Sequence, residues 1–238
     1  HGSPTAVIEY RQSRGWLVGD ENAGLHAMFT MMNNARLGVG IEGLSQCELA
    51  TQKALEFARN RKQGHAKIDN RKGVILDHPD VRRMLITMKS LTAAVRALCL
   101  DAALSLDLSK SNDKQLASKE SARASFLIPI AKAFSTDIGC RVADIGIQVH
   151  GGMGYVEETG VAQVFRDVRV TAIYEGTNGI QAIDLVGRKL ADSGKAANGL
   201  IDEMKLTISN CKNHEDQKIR EMGTRLSKSL LCLEGTLN

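Results

Sequence analysis

A single carboxylate is set apart by its surroundings. In the stretch Ala172-Ile-Tyr-Glu-Gly-Thr-Asn-Gly179, Glu175 lies between an apolar approach and a Gly-Thr-Asn-Gly turn. Ala172, Ile173 and Tyr174 offer it no counter-charge, a setting in which a carboxylate becomes a stronger base. Gly176 has no side chain, so a substrate has room to bring an α-proton within hydrogen-bonding reach of that base. Glu175 is therefore the candidate catalytic base and Gly176 a candidate substrate contact. The stretch also reads as a helix start, in which Thr177 or Asn178 caps a helix beginning at Ile180 and Glu175 is a solvated loop acid.

Two further groups of residues could do chemistry. Arg59, Arg61, Lys62, His65, Lys67, Arg71 and Lys72 concentrate a mild excess of 31 basic over 27 acidic residues. Such a cluster suits phosphates of a nucleotide cofactor, of coenzyme A or of nucleic acid, and equally reads as a solvated loop. Aromatic residues make up only 4% of the chain and do not interleave with the cluster, so base stacking is poorly supported. In His150-Gly-Gly-Met-Gly154 the glycines supply a left-handed turn that closes a helix. No His/Cys/Asp/Glu set has metal-ligand spacing, and no P-loop or Ser-His-Asp arrangement is visible. Cysteines 47, 99, 140, 211 and 232 are scattered and mostly within apolar stripes, which reads as buried thiols in a reducing, cytoplasm-like compartment. No apolar run reaches membrane length and no signal peptide is seen. The chain opens at His1 directly into a strand-like pattern and so reads as a piece of a longer polypeptide.

The elements that must position these residues are mainly helical. Residues 5–10 and 15–19 alternate or run apolar around a turn, which predicts two short strands, the tail of a β-domain. From Ala23 apolar residues recur at three- and four-residue steps, predicting one helix to about Arg61. Gly38, Gly40 and Gly43 inside it each cost about 1 kcal/mol relative to alanine, which a close helix crossing or a nearby ligand would offset. Asp77-His-Pro-Asp80 starts a second helix, with the stripe Val81, Met84, Leu85, Met88, Leu91, Val95, Leu98, Cys99 and Ala102. A third spans about Lys114 to Val149 with a kink expected at Pro129, and shorter helices near 158–167 and 178–190 flank the Glu175 turn. Lys195–Asn198 reads as a linker before two amphipathic stretches. Long striped helices with short connections make an all-α antiparallel bundle with a short β remnant.

Taken together, several motifs resemble the carboxyl-terminal helical domain of the acyl-CoA dehydrogenase family. They are Asn33-Asn-Ala-Arg36, Phe57-Ala-Arg-Asn-Arg61, Gln148-Val-His-Gly-Gly-Met-Gly-Tyr155, Phe165-Arg-Asp167 and Ile173-Tyr-Glu-Gly-Thr-Asn-Gly-Ile-Gln181. The wording is closest to the 3-methylmercaptopropionyl-CoA dehydrogenase-like branch, which has an extended helical C-terminus. The resemblance divides the chain into the end of a middle β-domain at 1–21, the helical bundle at 22–192, and the start of a helical extension at 193–238.

Members of this family are FAD-dependent enzymes that introduce a double bond between Cα and Cβ of acyl-CoA thioesters. The resemblance implies that Glu175 removes the α-proton while the β-hydrogen passes as hydride to flavin. Some members carry the base immediately before the arginine matched by Arg36, where this chain has Ala35. Arg36 matches a contact to the CoA part of the substrate, and Asn33 stands where an aspartate is usual. Arg61, Gln148, Gly151 and Gly152 match residues that hold FAD across a subunit interface, with Thr177 a further FAD contact. A homodimer or homotetramer and electron-transfer flavoprotein as electron acceptor are implied as partners. Arg166 and Asp167 read as a local ion pair or as a ligand contact. Two rival readings remain: an FAD-containing nucleic-acid-binding protein of the alkylation-response type, and a non-catalytic assembly bundle.

Overall fold

The computed structural model describes residues 6–64, 73–191 and 194–237. Among them are eight α-helices: α1 (Gly24–Asn60), α2 (Pro79–Leu108), α3 (Lys114–His150), α4 (Gly152–Tyr155), α5 (Val161–Thr171), α6 (Asn178–Asp184), α7 (Lys195–Lys212) and α8 (Gln217–Leu237). A π-helical turn, Leu185–Lys189, continues α6. The chain divides into two compact units, one of residues 1–99 and 131–178 and one of residues 100–130 and 179–238, so that α2 and α3 run through both.

The first unit is built on the apolar stripes. Cys47, Ala50, Ala54 and Ala58 of α1 pack with Met84, Leu85, Met88, Val95 and Cys99 of α2, with Ile138, Val142 and Ala143 of α3, and with Val164 and Val168 of α5. Small residues on α1 let its backbone come very close to α3. A Cβ on Gly43 would lie 2.7 Å from the Ser135 carbonyl oxygen, and one on Gly139 would lie 3.2 Å from the Gly43 carbonyl oxygen. The cost of glycine in α1 is therefore offset at Gly40 and Gly43 by helix crossing, whereas Gly38 faces open space. Pro79 opens α2, where its missing N–H costs nothing, and Asp80 pairs with Arg83 at 2.7 Å. Pro129 lies inside α3, which is one helix from Lys114 to His150.

In the second unit α7 and α8 pack on each other around Ile201, Ile208 and Leu230. Asp216 starts α8 by accepting a hydrogen bond from the Lys218 N–H at 2.8 Å. The Lys195–Asn198 linker expected from the sequence is instead the first turn of α7, entered from Gly194 in the left-handed conformation with Ala197 buried.

The β remnant is corrected. Among the described residues there is no strand, and residues 6–10 and 15–19 are irregular; the one bridge pairs Lys62 with Val74. Val7, Ile8, Trp16 and Val18 are exposed, and two short strands with no third strand or helix to cover them are marginal at best. Residue 5 of the expected first strand, and His65, Lys67, Arg71 and Lys72 of the basic cluster, lie outside the described residues. Among those described, Cys47 and Cys99 are buried while Cys232 is exposed, so the buried-thiol reading does not hold for every cysteine. Burial pushes the Cys47 thiol up to about 12. No described helix is long and apolar enough to cross a membrane.

Candidate functional site

The Glu175 turn begins where α5 stops. Ile173 and Tyr174 both donate their N–H to the Val170 carbonyl, and Asn178 donates its N–H to Ala172 at 3.3 Å, closing a compact loop. Within it Glu175 has φ +52° and Gly176 φ +85°. Gly176 adopts this left-handed geometry freely, but for a glutamate it is uncommon and costs energy, so the surroundings must hold it.

Those surroundings are a polar cluster against α3. Lys132, with no exposed surface, donates from Nζ to the Gly176 carbonyl at 2.8 Å and to Asn178 Oδ1 at 3.0 Å. Asn178 Nδ2 donates to Asp137 Oδ1 at 2.7 Å and to Thr136 Oγ1 at 3.0 Å. Burial lowers the Lys132 pKa from the ordinary lysine value; Asp137 opposes that, Arg36 adds to it, and Glu175 opposes it. Arg36, buried on α1, therefore belongs to the same electrostatic neighbourhood. On the other side of the turn the Tyr174 hydroxyl donates to Glu42 Oε2. Burial raises the Tyr174 pKa above the usual phenol value, and the Glu42 carboxylate raises it further. Glu175 itself is half-buried. The helix after the turn starts at Asn178, whose side chain is engaged with α3 and Lys132.

A second group forms around the end of α3. Arg61, Gln148, Gly151 and Gly152 line one cavity of about 650 Å³ together with Phe57, His78 and His150. Gly151 has φ +58°, and a Cβ at Gly151 or Gly152 would meet nothing within 4 Å, so this backbone faces open space. His150 is buried, stacks on Phe57 with ring centroids 4.4 Å apart, and donates from Nδ1 to the Gly146 carbonyl at 2.8 Å. An arginine and a side-chain amide beside uncrowded glycine backbone form a lining suited to a pyrophosphate, although the Gly151 N–H itself donates to the Gln148 carbonyl at 3.2 Å.

The structure thus brings Arg61, Gln148, Gly151 and Gly152 together, and separately places Glu175, Gly176 and Thr177 on the turn that Lys132 holds and to whose lysine the Arg36 charge couples. Thr177 does not line the cavity of the first four. Arg166 pairs with Glu157, through two hydrogen bonds of 2.9 and 2.7 Å, rather than with Asp167. Lys132 was missed from the sequence, although a signal was there: it is the one charge between Arg123 and Asp137 in an otherwise uncharged, mostly apolar run. Among the described residues no group of three or more His, Cys, Asp or Glu could hold a metal ion.

Comparison with known proteins points one way. The family profile described as "Acyl-CoA dehydrogenase, C-terminal domain" matches residues 22–190. The 3-methylmercaptopropionyl-CoA dehydrogenase of Ruegeria pomeroyi is 48% identical over 198 residues, covering 82% of this chain and 34% of that protein. The solved butyryl-CoA dehydrogenase from Megasphaera elsdenii superposes with a TM-score of 0.59 at 28% identity, covering 71% of this chain and 39% of that one. ACDH-11 of Caenorhabditis elegans, solved in complex with C11-CoA, gives a TM-score of 0.75 over 92% of this chain and 35% of that one; at 24% identity this is a likeness of fold. The chain spans about a third of the length of the curated relatives it matches.

Proposed function

Because the chain belongs to the acyl-CoA dehydrogenase family, matched over the family's C-terminal domain, we propose that it supplies the base-bearing helical part of an FAD-dependent enzyme that desaturates acyl-CoA thioesters. The observation that carries this reading is the left-handed Glu175-Gly176 turn, held by Lys132 and Asn178 against α3. Glu175 is the base: its carboxylate takes the substrate's α-proton, and the electron pair left on Cα forms the Cα–Cβ double bond as the β-hydrogen departs with its own pair. Gly176 leaves space for the thioester beside the base, and Arg36 contacts the CoA portion. FAD, when bound, accepts the β-hydride. Its phosphates fit the Arg61, Gln148, Gly151 and Gly152 cavity, where an arginine and open glycine backbone converge.

Thr177 is the further cofactor contact. Because it stands outside that cavity, the family's arrangement of FAD between subunits accounts for the separation, and a homodimer or homotetramer is the assembly. Electron-transfer flavoprotein is the acceptor that reoxidises the flavin. Residues 22–192 form the dehydrogenase bundle, and 193–238 begin a helical extension.

The test is anaerobic reduction of the flavin in the full-length protein by a panel of acyl-CoAs, run beside Glu175→Gln. Bleaching by one class of acyl-CoA is expected in the unaltered protein. In Glu175→Gln, with FAD retained, the rate should fall on the order of a thousandfold, the scale of a lost general base. Bleaching at an undiminished rate in that variant would remove Glu175 as the base. Flavin loss on Arg61→Ala, with the fold intact by circular dichroism, would support the pyrophosphate assignment.

A further inference from the structure

We propose that Lys132 is a positioning residue: its buried ammonium group ties the Gly176 carbonyl and the Asn178 side chain to α3, and so fixes the left-handed turn that carries Glu175. Lys132 has no exposed surface, and a cation is taken out of water only where its surroundings compensate it. Its two hydrogen-bond acceptors, at 2.8 and 3.0 Å, flank Thr177 in the turn. Asn178 completes the tie by donating to Thr136 and Asp137, one turn further along the same helix. A long helix packed into the core is a rigid support, so the turn takes its position from α3.

The geometry of the turn requires such a tie. Glu175 holds φ +52°, a conformation that a glutamate leaves unless neighbouring contacts prevent it. The charged groups coupled to the ammonium are Glu175 from the turn, Asp137 from α3 and Arg36 from α1. Tyr174 is hydrogen-bonded to Glu42, so the residue before Glu175 is anchored to α1 while the residue after it is anchored to α3. The consequence for catalysis rests on the reading of Glu175 as the base; the pinning of the turn does not.

Two measurements on the full-length, FAD-loaded protein separate these points. Hydrogen–deuterium exchange in Lys132→Met is expected to be about tenfold faster over residues 172–178 than in the unaltered protein, with the α2 segment 84–99 unchanged. Anaerobic bleaching by acyl-CoA is expected to slow about tenfold or more, while acyl-CoA affinity, read from the flavin spectrum, changes little, because a misplaced base costs rate rather than binding. Where Lys132→Met does not accumulate, Asn178→Ala removes one of the two acceptors and carries the same test. Unchanged exchange over 172–178 overturns the proposal whatever the kinetics. Faster exchange with bleaching intact in the Lys132 variant, but lost in Glu175→Gln, also overturns it, since the tie would then position nothing that matters. Faster exchange with bleaching intact in both variants would instead leave the pinning standing and remove Glu175 as the base.

Discussion

At the scale of single residues, His150 shows how burial sets a pH response. Its ring is stacked on Phe57 and hydrogen-bonded to the Gly146 carbonyl. Burial lowers its pKa, the Gly146 carbonyl opposes this, and the Lys53 charge adds to the lowering. A histidine whose folded pKa lies below its unfolded value of about 6.5 takes up its proton more readily in the unfolded chain. Stability is therefore complete above about pH 6.5 and is lost as the pH falls through the window below it, down to the folded pKa. Urea unfolding at about pH 7.5 and about pH 5.5 should show a smaller loss of stability on acidification in His150→Gln than in the unaltered protein. An equal loss in both would mean that His150 does not contribute to the acid response. The residues legible in the sequence were those whose neighbours in the chain define their setting: Glu175 among apolar residues before a glycine turn, and the glycines after His150. Lys132 and Glu42 were not, because they meet Gly176 and Tyr174 across 44 and 132 positions of sequence, and no local pattern encodes such a pairing.

At the scale of elements, periodicity located the helices but did not say which glycines touch a neighbour. The α2 stripe is largely the one buried, with Met84, Leu85, Met88, Val95, Cys99 and Ala102 all inside. In α1, Leu25 and Leu49 are apolar residues of the helical pattern and yet are exposed, since a 37-residue helix makes different contacts along its length. Alternation at the start of the chain predicted strands that the structure does not form, because a strand pattern becomes a strand only when a partner supplies its hydrogen bonds. The glycines of α1 give a direct test of the crossing with α3. A Cβ at Gly43 would stand 2.7 Å from a backbone oxygen that cannot move aside cheaply, whereas one at Gly38 would meet nothing within 4 Å. Gly38→Ala should raise the unfolding free energy by up to about 1 kcal/mol, through the better helix propensity of alanine. Gly43→Ala should lower it by about 1–3 kcal/mol despite the same gain in propensity, because overpacking outweighs it. Chemical denaturation of the two variants decides the matter, and a stabilised Gly43→Ala would mean that α1 and α3 separate without cost.

At the scale of the whole chain, the proposed site and the ion-pair network around Arg123 lie in different units. Arg36, Arg61, Gln148, Gly151, Gly152, Glu175, Gly176 and Thr177 all fall in the unit of residues 1–99 and 131–178. The other unit holds Arg123, whose side chain is 15% exposed. It donates to Asp101 of α2 at 2.8 and 3.2 Å and to Glu203 of α7 at 2.6 Å, so one guanidinium joins three helices. The sequence showed none of this, because Asp101, Arg123 and Glu203 each look like an ordinary surface charge on its own helix. Both carboxylates are more than a third exposed, and water would resolvate them if the arginine were removed. The loss is thus that of a solvent-screened, charge-assisted network and not of a buried ion pair. Arg123→Met, which keeps much of the apolar stem, should cost about 1–2 kcal/mol. The thermal midpoint of the full-length protein should fall accordingly, while its flavin content and rate of bleaching by acyl-CoA stay unchanged, since no residue of the proposed site belongs to this unit. If flavin is lost together with stability, the two units are coupled and the network around Arg123 supports the site as well as the fold.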